Sequence, residues 1–329
     1  MTGPLLSTPP EAGSGRRRRR RWVLGAVVVA WIVVVAGLGV WSVRHSPATV
    51  PEQRDIAQAV PELQRAAGVV FAAAEGGAGA GGEKGGGPAA SGGPAASGGP
   101  AAPGGGDAAV GAGKRVAVLG ELELIAGCRI TPVRHGVMAA RDVTVYVAEG
   151  EAEAALDGIA AGLPRGYRAD VAVTRGGTRL AFHADAGNFV GIDSDADSSA
   201  KVLTLRLTSG CRPGKAEDAD TADPATGTMP GELGTVVSAL GGGAAGGAAA
   251  GSGTPVVRAV ACPDGGVAAT YTVRGIATPG DLESRMRGLS AGTVVVRSDA
   301  AAWAYRKGSS SVVVVPDDKK LRVSVSTGC

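Results

Sequence analysis

The chain has 329 residues, room for about two domains of ordinary size. Gly accounts for 55 of them and Pro for 19, an excess that assigns part of the chain to low-complexity sequence and not to a packed core. Four Trp, four Tyr, three Phe, three His (His45, His135, His183) and four Cys (Cys128, Cys211, Cys262, Cys329) are too few and too scattered for a base-stacking platform, a zinc ribbon or an iron–sulfur site. No nucleic-acid partner, no metal and no cofactor are therefore predicted.

Residues 1–21 form a basic tail that ends in Arg16, Arg17, Arg18, Arg19, Arg20 and Arg21. Trp22 to Trp41 follow without a charge. At about 1.5 Å per residue that run spans roughly 30 Å, the hydrocarbon thickness of a bilayer, and its two end Trp sit where interfacial aromatics belong. A cleaved signal peptide is the competing reading. The run is longer than the ~7–15 residues of a usual apolar signal core and no A-x-A site follows it, so a single-pass signal-anchor over 22–41 is the expectation. The Arg block then keeps the N-terminus in the cytoplasm and makes the membrane itself the first partner. Arg outnumbers Lys 26 to 7, with abundant Ala, Gly and Pro, as in a gene of high GC content. The expected location is a bacterial cell membrane with the bulk of the chain extracytoplasmic. Residues 1–41 hold six of the 33 basic side chains and one of the 30 acidic ones, so the remainder is nearly balanced and offers no basic surface for nucleic acid.

Beyond the anchor the sequence repeats. Thr144-Val-Tyr-Val147, Leu156 and Gly162-Leu163 match Thr270-Tyr-Thr-Val273, Leu282 and Gly288-Leu289 at a constant offset of 126. The closing segments Lys201 to Cys211 and Lys319 to Cys329 match at 118, each ending in Gly-Cys. A weaker match at 170 relates Glu62-Leu63 to Glu232-Leu233 and places an amphipathic helix before each copy. The domains follow: 42–211 as the first repeat, with a Gly/Pro/Ala-rich loop at 75–113; 212–228 as an acidic linker; 229–329 as the second repeat, with a Gly/Ala-rich loop at 241–254. The first loop carries Gly-Gly-Pro-Ala-Ala-Ser nearly three times over (86–103), and disorder is predicted for it.

Four Cys allow three pairings; self-contained repeats select Cys128–Cys211 and Cys262–Cys329, bonds that an oxidising compartment permits. The same constraint sets the strands that precede and end each disulfide loop side by side. Val143, Val145 and Val147 alternate with polar residues, as do Leu203, Leu205 and Leu207, the pattern of half-buried strands. Glu151 to Leu163 reads as a helix, and Thr278-Pro279 caps its partner. Four strands are predicted after each helix: 167–174, 178–183, 188–193 and 201–208, then 293–298, 302–307, 311–315 and 320–326. The fold class expected is α+β: a transmembrane helix followed by two small disulfide-stapled units of strand, helix and antiparallel meander.

No nucleophile, base and orienting acid assemble. Asp193-Ser-Asp-Ala-Asp197 imitates a calcium loop but has Ser198 where the Gly belongs and Thr204 where the bidentate Glu belongs, so it reads as a solvated hairpin tip. Asp317-Asp318-Lys319-Lys320 reads as a charged turn. Trp303 and Tyr305, sharing one strand face, and His135 are the candidates for a contact surface. The expected function is binding of a protein or envelope component without catalysis. One alternative is signalling through a membrane partner. The other is an envelope-acting enzyme with a site between the repeats, using acids such as Asp142, Asp170 or Asp185.

Overall fold

The computed structural model describes residues 27, 29–38, 54–76, 115–241 and 254–329. Two six-stranded antiparallel sheets dominate it, and they share one topology. The first contains β1 (Arg115–Thr131), β2 (Arg134–Val147), β3 (Asp170–Thr174), β4 (Arg179–Asp185), β5 (Gly191–Asp197) and β6 (Val202–Thr208), in the order β1-β2-β6-β5-β4-β3. The second contains β7 (Val256–Ala261), β8 (Val267–Ala277), β9 (Val294–Asp299), β10 (Ala302–Lys307), β11 (Ser310–Asp317) and β12 (Lys320–Thr327), in the order β7-β8-β12-β11-β10-β9. Helices α1 (Ile56–Ala74) and α3 (Gly231–Ala239) precede the sheets; α2 (Ala152–Gly162) and α4 (Leu282–Leu289) join the second strand of each sheet to the third.

The expected fold class needs correcting. Each unit is a whole six-stranded sheet whose opening hairpin precedes the helix, so the molecule is mainly sheet. Among the described residues no helix is long and apolar enough to cross a membrane. Of the run 22–41, residues 27 and 29–38 are described, and they are helical. The transmembrane, single-pass and signal-anchor expectation is therefore not met. Arg16 to Arg21, Trp22 and Trp41 lie outside the described residues, as do 77–114 and 242–253, which hold most of the two low-complexity loops.

In the first unit the alternation works as the hydrophobic period demands. Leu180, Phe182 and Ala184 on β4, Ile192 and Ala196 on β5, and Leu203, Leu205 and Leu207 on β6 point inward, buried under α1 and α2. Each fully buried large apolar side chain contributes about 1.5–3 kcal/mol. Helix α1 starts at Asp55, whose carboxylate accepts the Gln58 N–H at 2.9 Å as an N-cap. It is buried on most of its circumference, because its far side meets β7 of the second unit. A Cβ added at Gly68 would lie 2.0 Å from the carbonyl oxygen of Ala261, so only glycine permits this approach.

The second sheet is covered on both faces. Trp303, Tyr305, Val312 and Val314 pack under α3 and α4, while Val296, Ala304, Val313 and Val315 pack against Val116, Val118 and Tyr146 of the first unit. This explains why β11 is buried at six successive positions instead of alternating. Across the joint the Leu119 N–H donates to Thr270 Oγ1 at 3.0 Å.

The pairing register refines the repeat. Ala140 pairs with Thr208 and Thr270 with Ser326; Val143 pairs with Leu205 and Val273 with Val323. With the closing strands matched at 118, the second strands therefore match at 130 (Ala140 to Thr270), four residues from the sequence match at 126. Helices α2 and α4 also begin 130 apart, and this sets Leu156 on Met286, both fully buried. An even shift leaves every residue on the same sheet face, so the hydrophobic pattern alone does not separate the two alignments.

Segment 212–228 is a strap laid on both sheets. Asp223 receives the fully buried Arg141 through two N···O contacts of 3.1 Å, and its Oδ2 also accepts the Ala259 N–H at 2.8 Å. Pro213 accepts the Ile56 N–H, which ties the strap to the start of α1. Bridge Cys128–Cys211 joins the distal part of β1 to the residues after β6; bridge Cys262–Cys329 joins the end of β7 to the end of β12.

Candidate binding surface

Two of the three contact candidates lie inside the protein. Trp303 is 7 % exposed and Tyr305 1 %, and burial, with Glu232 nearby, pushes the Tyr305 phenol up to about 12. They do share a face, but it is the one that α3 and α4 cover. His135 is exposed on the tip of the β1–β2 hairpin, opposite Arg129.

That tip belongs to the disulfide-stapled end of the first unit, where three segments converge: the β1–β2 hairpin, the β4–β5 turn and the residues after β6. The bridge from Cys128 to Cys211 holds the first to the last, and Val137 exchanges backbone hydrogen bonds with Arg212. Gly136 lets them meet, since a Cβ there would lie 2.2 Å from the Arg212 carbonyl oxygen.

The β4–β5 turn carries a residue that the sequence reading missed. Asn188 and Phe189 both adopt positive φ, 53° and 61°, and the Val190 N–H closes the turn on the Gly187 carbonyl at 3.0 Å. This is the primed hairpin geometry that Asn-Gly normally serves. A bulky side chain in that conformation costs about 1–3 kcal/mol, and Phe189 is also 59 % exposed, so burial of the ring does not offset the cost. Arg212 supports the ring instead. It is 2 % exposed, donates from Nε to the Ser209 carbonyl at 2.6 Å and from its guanidinium to the Asn188 carbonyl, and sets its guanidinium carbon 5.6 Å from the ring centroid. A buried arginine beside a disulfide thus holds an aromatic ring out into solvent. The legible signal was Gly187-Asn188, a turn pair followed by an aromatic where glycine is expected.

The outer face of the first sheet is open and charged. One cross-strand row runs Asp170, His183, Asp193, Arg206, Asp142 over β3, β4, β5, β6 and β2. His183 Nδ1 lies 2.7 Å from Asp193, and Arg206 lies 3.2 Å from Asp142. Burial pushes the Asp142 carboxyl up against the opposing pull of Arg206. The segment Asp193–Asp197 is the second part of strand β5, up to its last residue, and not a hairpin tip; Ser194 and Ala196 turn inward while Asp195 and Asp197 flank Arg179. Among the described residues no group of three or more His, Cys, Asp or Glu is placed to hold a metal ion.

The acids named for the enzymatic alternative stand apart in role. Asp142 is bound to Arg206, Asp170 lies opposite His183, and Asp185 accepts the Gly187 N–H at 2.8 Å. A shallow cleft of about 570 Å³ between the units is lined by Ser199, Lys201, Arg297 and Asp299. Lys201 lies 2.8 Å from Glu149 and 3.9 Å from Asp299, and Arg297 lies 2.9 Å from Asp299. The hydrogen bond from Lys201 lowers Glu149, and that from Arg297 lowers Asp299. Both acids are therefore ionised near neutrality, and neither keeps a proton to donate as a general acid must.

No family model, no characterised protein and no solved structure matches this chain. The surface has to be read from its own chemistry, and the feature that marks it is the propped ring of Phe189, an exposed aromatic at positive φ.

Proposed function

We propose that the protein is a non-catalytic binding module that works in an oxidising compartment outside the bacterial cytoplasm and engages a protein partner through the disulfide-stapled end of its first unit. The observation that carries this reading is Phe189: exposed, in a left-handed conformation that an aromatic side chain adopts at a cost, and backed by buried Arg212. Backbone strain of this kind is retained at contact sites because the folded state is otherwise better off without it. A rigid aromatic ring offers large contact area with little entropy to lose on binding. Both disulfides support the compartment, since all four Cys are paired.

The test is photocrosslinking in intact cells with a photoreactive phenylalanine in place of Phe189, and a second probe at Thr204 on the open sheet face as the comparison. The reading expects one recurrent protein adduct from position 189. Adducts equally abundant from both positions, or none from 189, would remove this end of the molecule as the contact site.

A further inference from the structure

The two disulfides sit in different surroundings. Cys128–Cys211 belongs to the first unit alone, at its free end. Cys262–Cys329 lies at the joint between the units. Cys262, 9 % exposed, packs with Val260 and Ala268 into the core of the first unit, beside α1. At the other end of the bridge, Gly328 lies beside the Glu75 carboxylate, where an added Cβ would be 3.6 Å from Oε2.

Glu75 is the polar centre of that joint. It is 6 % exposed at the end of α1, and its carboxylate accepts the Ala117 N–H at 3.0 Å, the Ser311 hydroxyl at 2.9 Å and the Arg306 guanidinium at 2.9 Å. Arg306 also donates to the Glu75 backbone carbonyl at 2.6 Å. Ser311 and Arg306 belong to the second unit, so a buried carboxylate of one unit is satisfied by donors of the other. Such a cluster holds only while water is kept out and every donor stays in place. The bridge holds the C-terminal strand end over it.

We propose that the Cys262–Cys329 bridge is a redox-sensitive lock on this joint: when it is reduced the units part, while the first unit stays folded on its own bridge. The reductant is a dithiol. One of its thiolates attacks the sulfur of exposed Cys329 and Cys262 leaves as the thiolate. The second thiol of the reductant then resolves the mixed disulfide. The protein gains two electrons and two protons as two thiols, and the reductant becomes its own disulfide. Release of Gly328 and Cys329 uncovers Glu75 to water, and the contacts of Val116, Val118 and Tyr146 with β10 and β11 are the ones that yield.

Hydrogen exchange by NMR on the full chain tests this, with oxidised protein compared with the double variant Cys262→Ser, Cys329→Ser. The expected result is faster exchange, by about tenfold or more, at the Leu119 amide, whose acceptor Thr270 lies across the joint, with the amides of the β8–β12 ladder unchanged. Because the variant can fail to fold, the wild-type chain is also titrated with dithiothreitol, and Leu119 exchange is followed against alkylation of Cys262 and Cys329. An unchanged Leu119 amide after the bridge is fully reduced would overturn the proposal. So would loss of the β8–β12 ladder in step with Leu119, which would make the bridge a staple of the second unit only.

Discussion

Removing Asp223 from the strap should cost more than removing the arginine it binds. Arg141 has a fully buried side chain that donates from Nε to the Gly120 carbonyl at 3.1 Å and otherwise depends on Asp223. Burial lowers its pKa, and Asp223 is the charge that opposes this. Asp223→Ala leaves a guanidinium without a counter-ion in the interior and orphans the Ala259 N–H, a loss of about 3–5 kcal/mol on the scale of broken buried ion pairs. Arg141→Met removes the charge together with its need. Asp223, 19 % exposed, can then turn to water and keep the Ala259 N–H, so the cost is that of the orphaned Gly120 carbonyl, about 1–3 kcal/mol. Urea unfolding of both variants, read by circular dichroism at constant m-value, measures the difference. If Arg141→Met is the more damaging, or if Asp223→Ala lies within about 1 kcal/mol of wild type, the strap is not held by this pair and the reasoning fails.

Three further outcomes follow from the geometry. Phe189→Gly relieves a positive φ and should leave the melting temperature unchanged or raise it, by up to about 1 kcal/mol of stability; marked destabilisation would mean that the ring is structural. Gly68→Val drives a side chain into the Ala261 carbonyl and should lower stability by more than the roughly 1 kcal/mol of a typical substitution, with enhanced proteolysis at the joint as the direct readout. Burial raises the Glu75 carboxyl above its ordinary 4.5, ahead of the opposing pull of Arg306. Its share of stability is therefore full below about 4.5 and declines as pH climbs through the raised value. Glu75→Gln should lack that decline, and parallel pH profiles for the two proteins would contradict the assignment.

Much of the local structure was legible because a single rule governed it. Leu203, Leu205 and Leu207 alternate with polar residues and lie on one covered face of β6, and the two Gly-Cys ends mark the close of each sheet. The rest required tertiary information. The valines of β11 do not alternate with polar residues because the first unit covers the face that would otherwise be wet. Trp303 and Tyr305 were assigned to one face correctly, but nothing local says which face a helix will cover. Asp193 to Asp197 alternates as a strand must, yet the imitation of a calcium loop drew attention to its acids instead of its period. The apolar run 22–41 meets the local criteria for a span, whereas among the described residues no helix is long and apolar enough to cross a membrane. Phe189 is easily passed over because an aromatic after Gly-Asn looks like the start of the next strand; the turn pair hints at its place, and its backbone angles put it in the turn itself.

The central claim is that the propped ring at the free end of the first unit is the contact. It is tested most directly by titrating the purified protein with whichever protein is crosslinked from position 189, for wild type and Phe189→Ala side by side. A central aromatic anchor is worth about 2 kcal/mol or more, so the account predicts at least a roughly thirtyfold loss of affinity for Phe189→Ala. Equal affinities of the two proteins would contradict it.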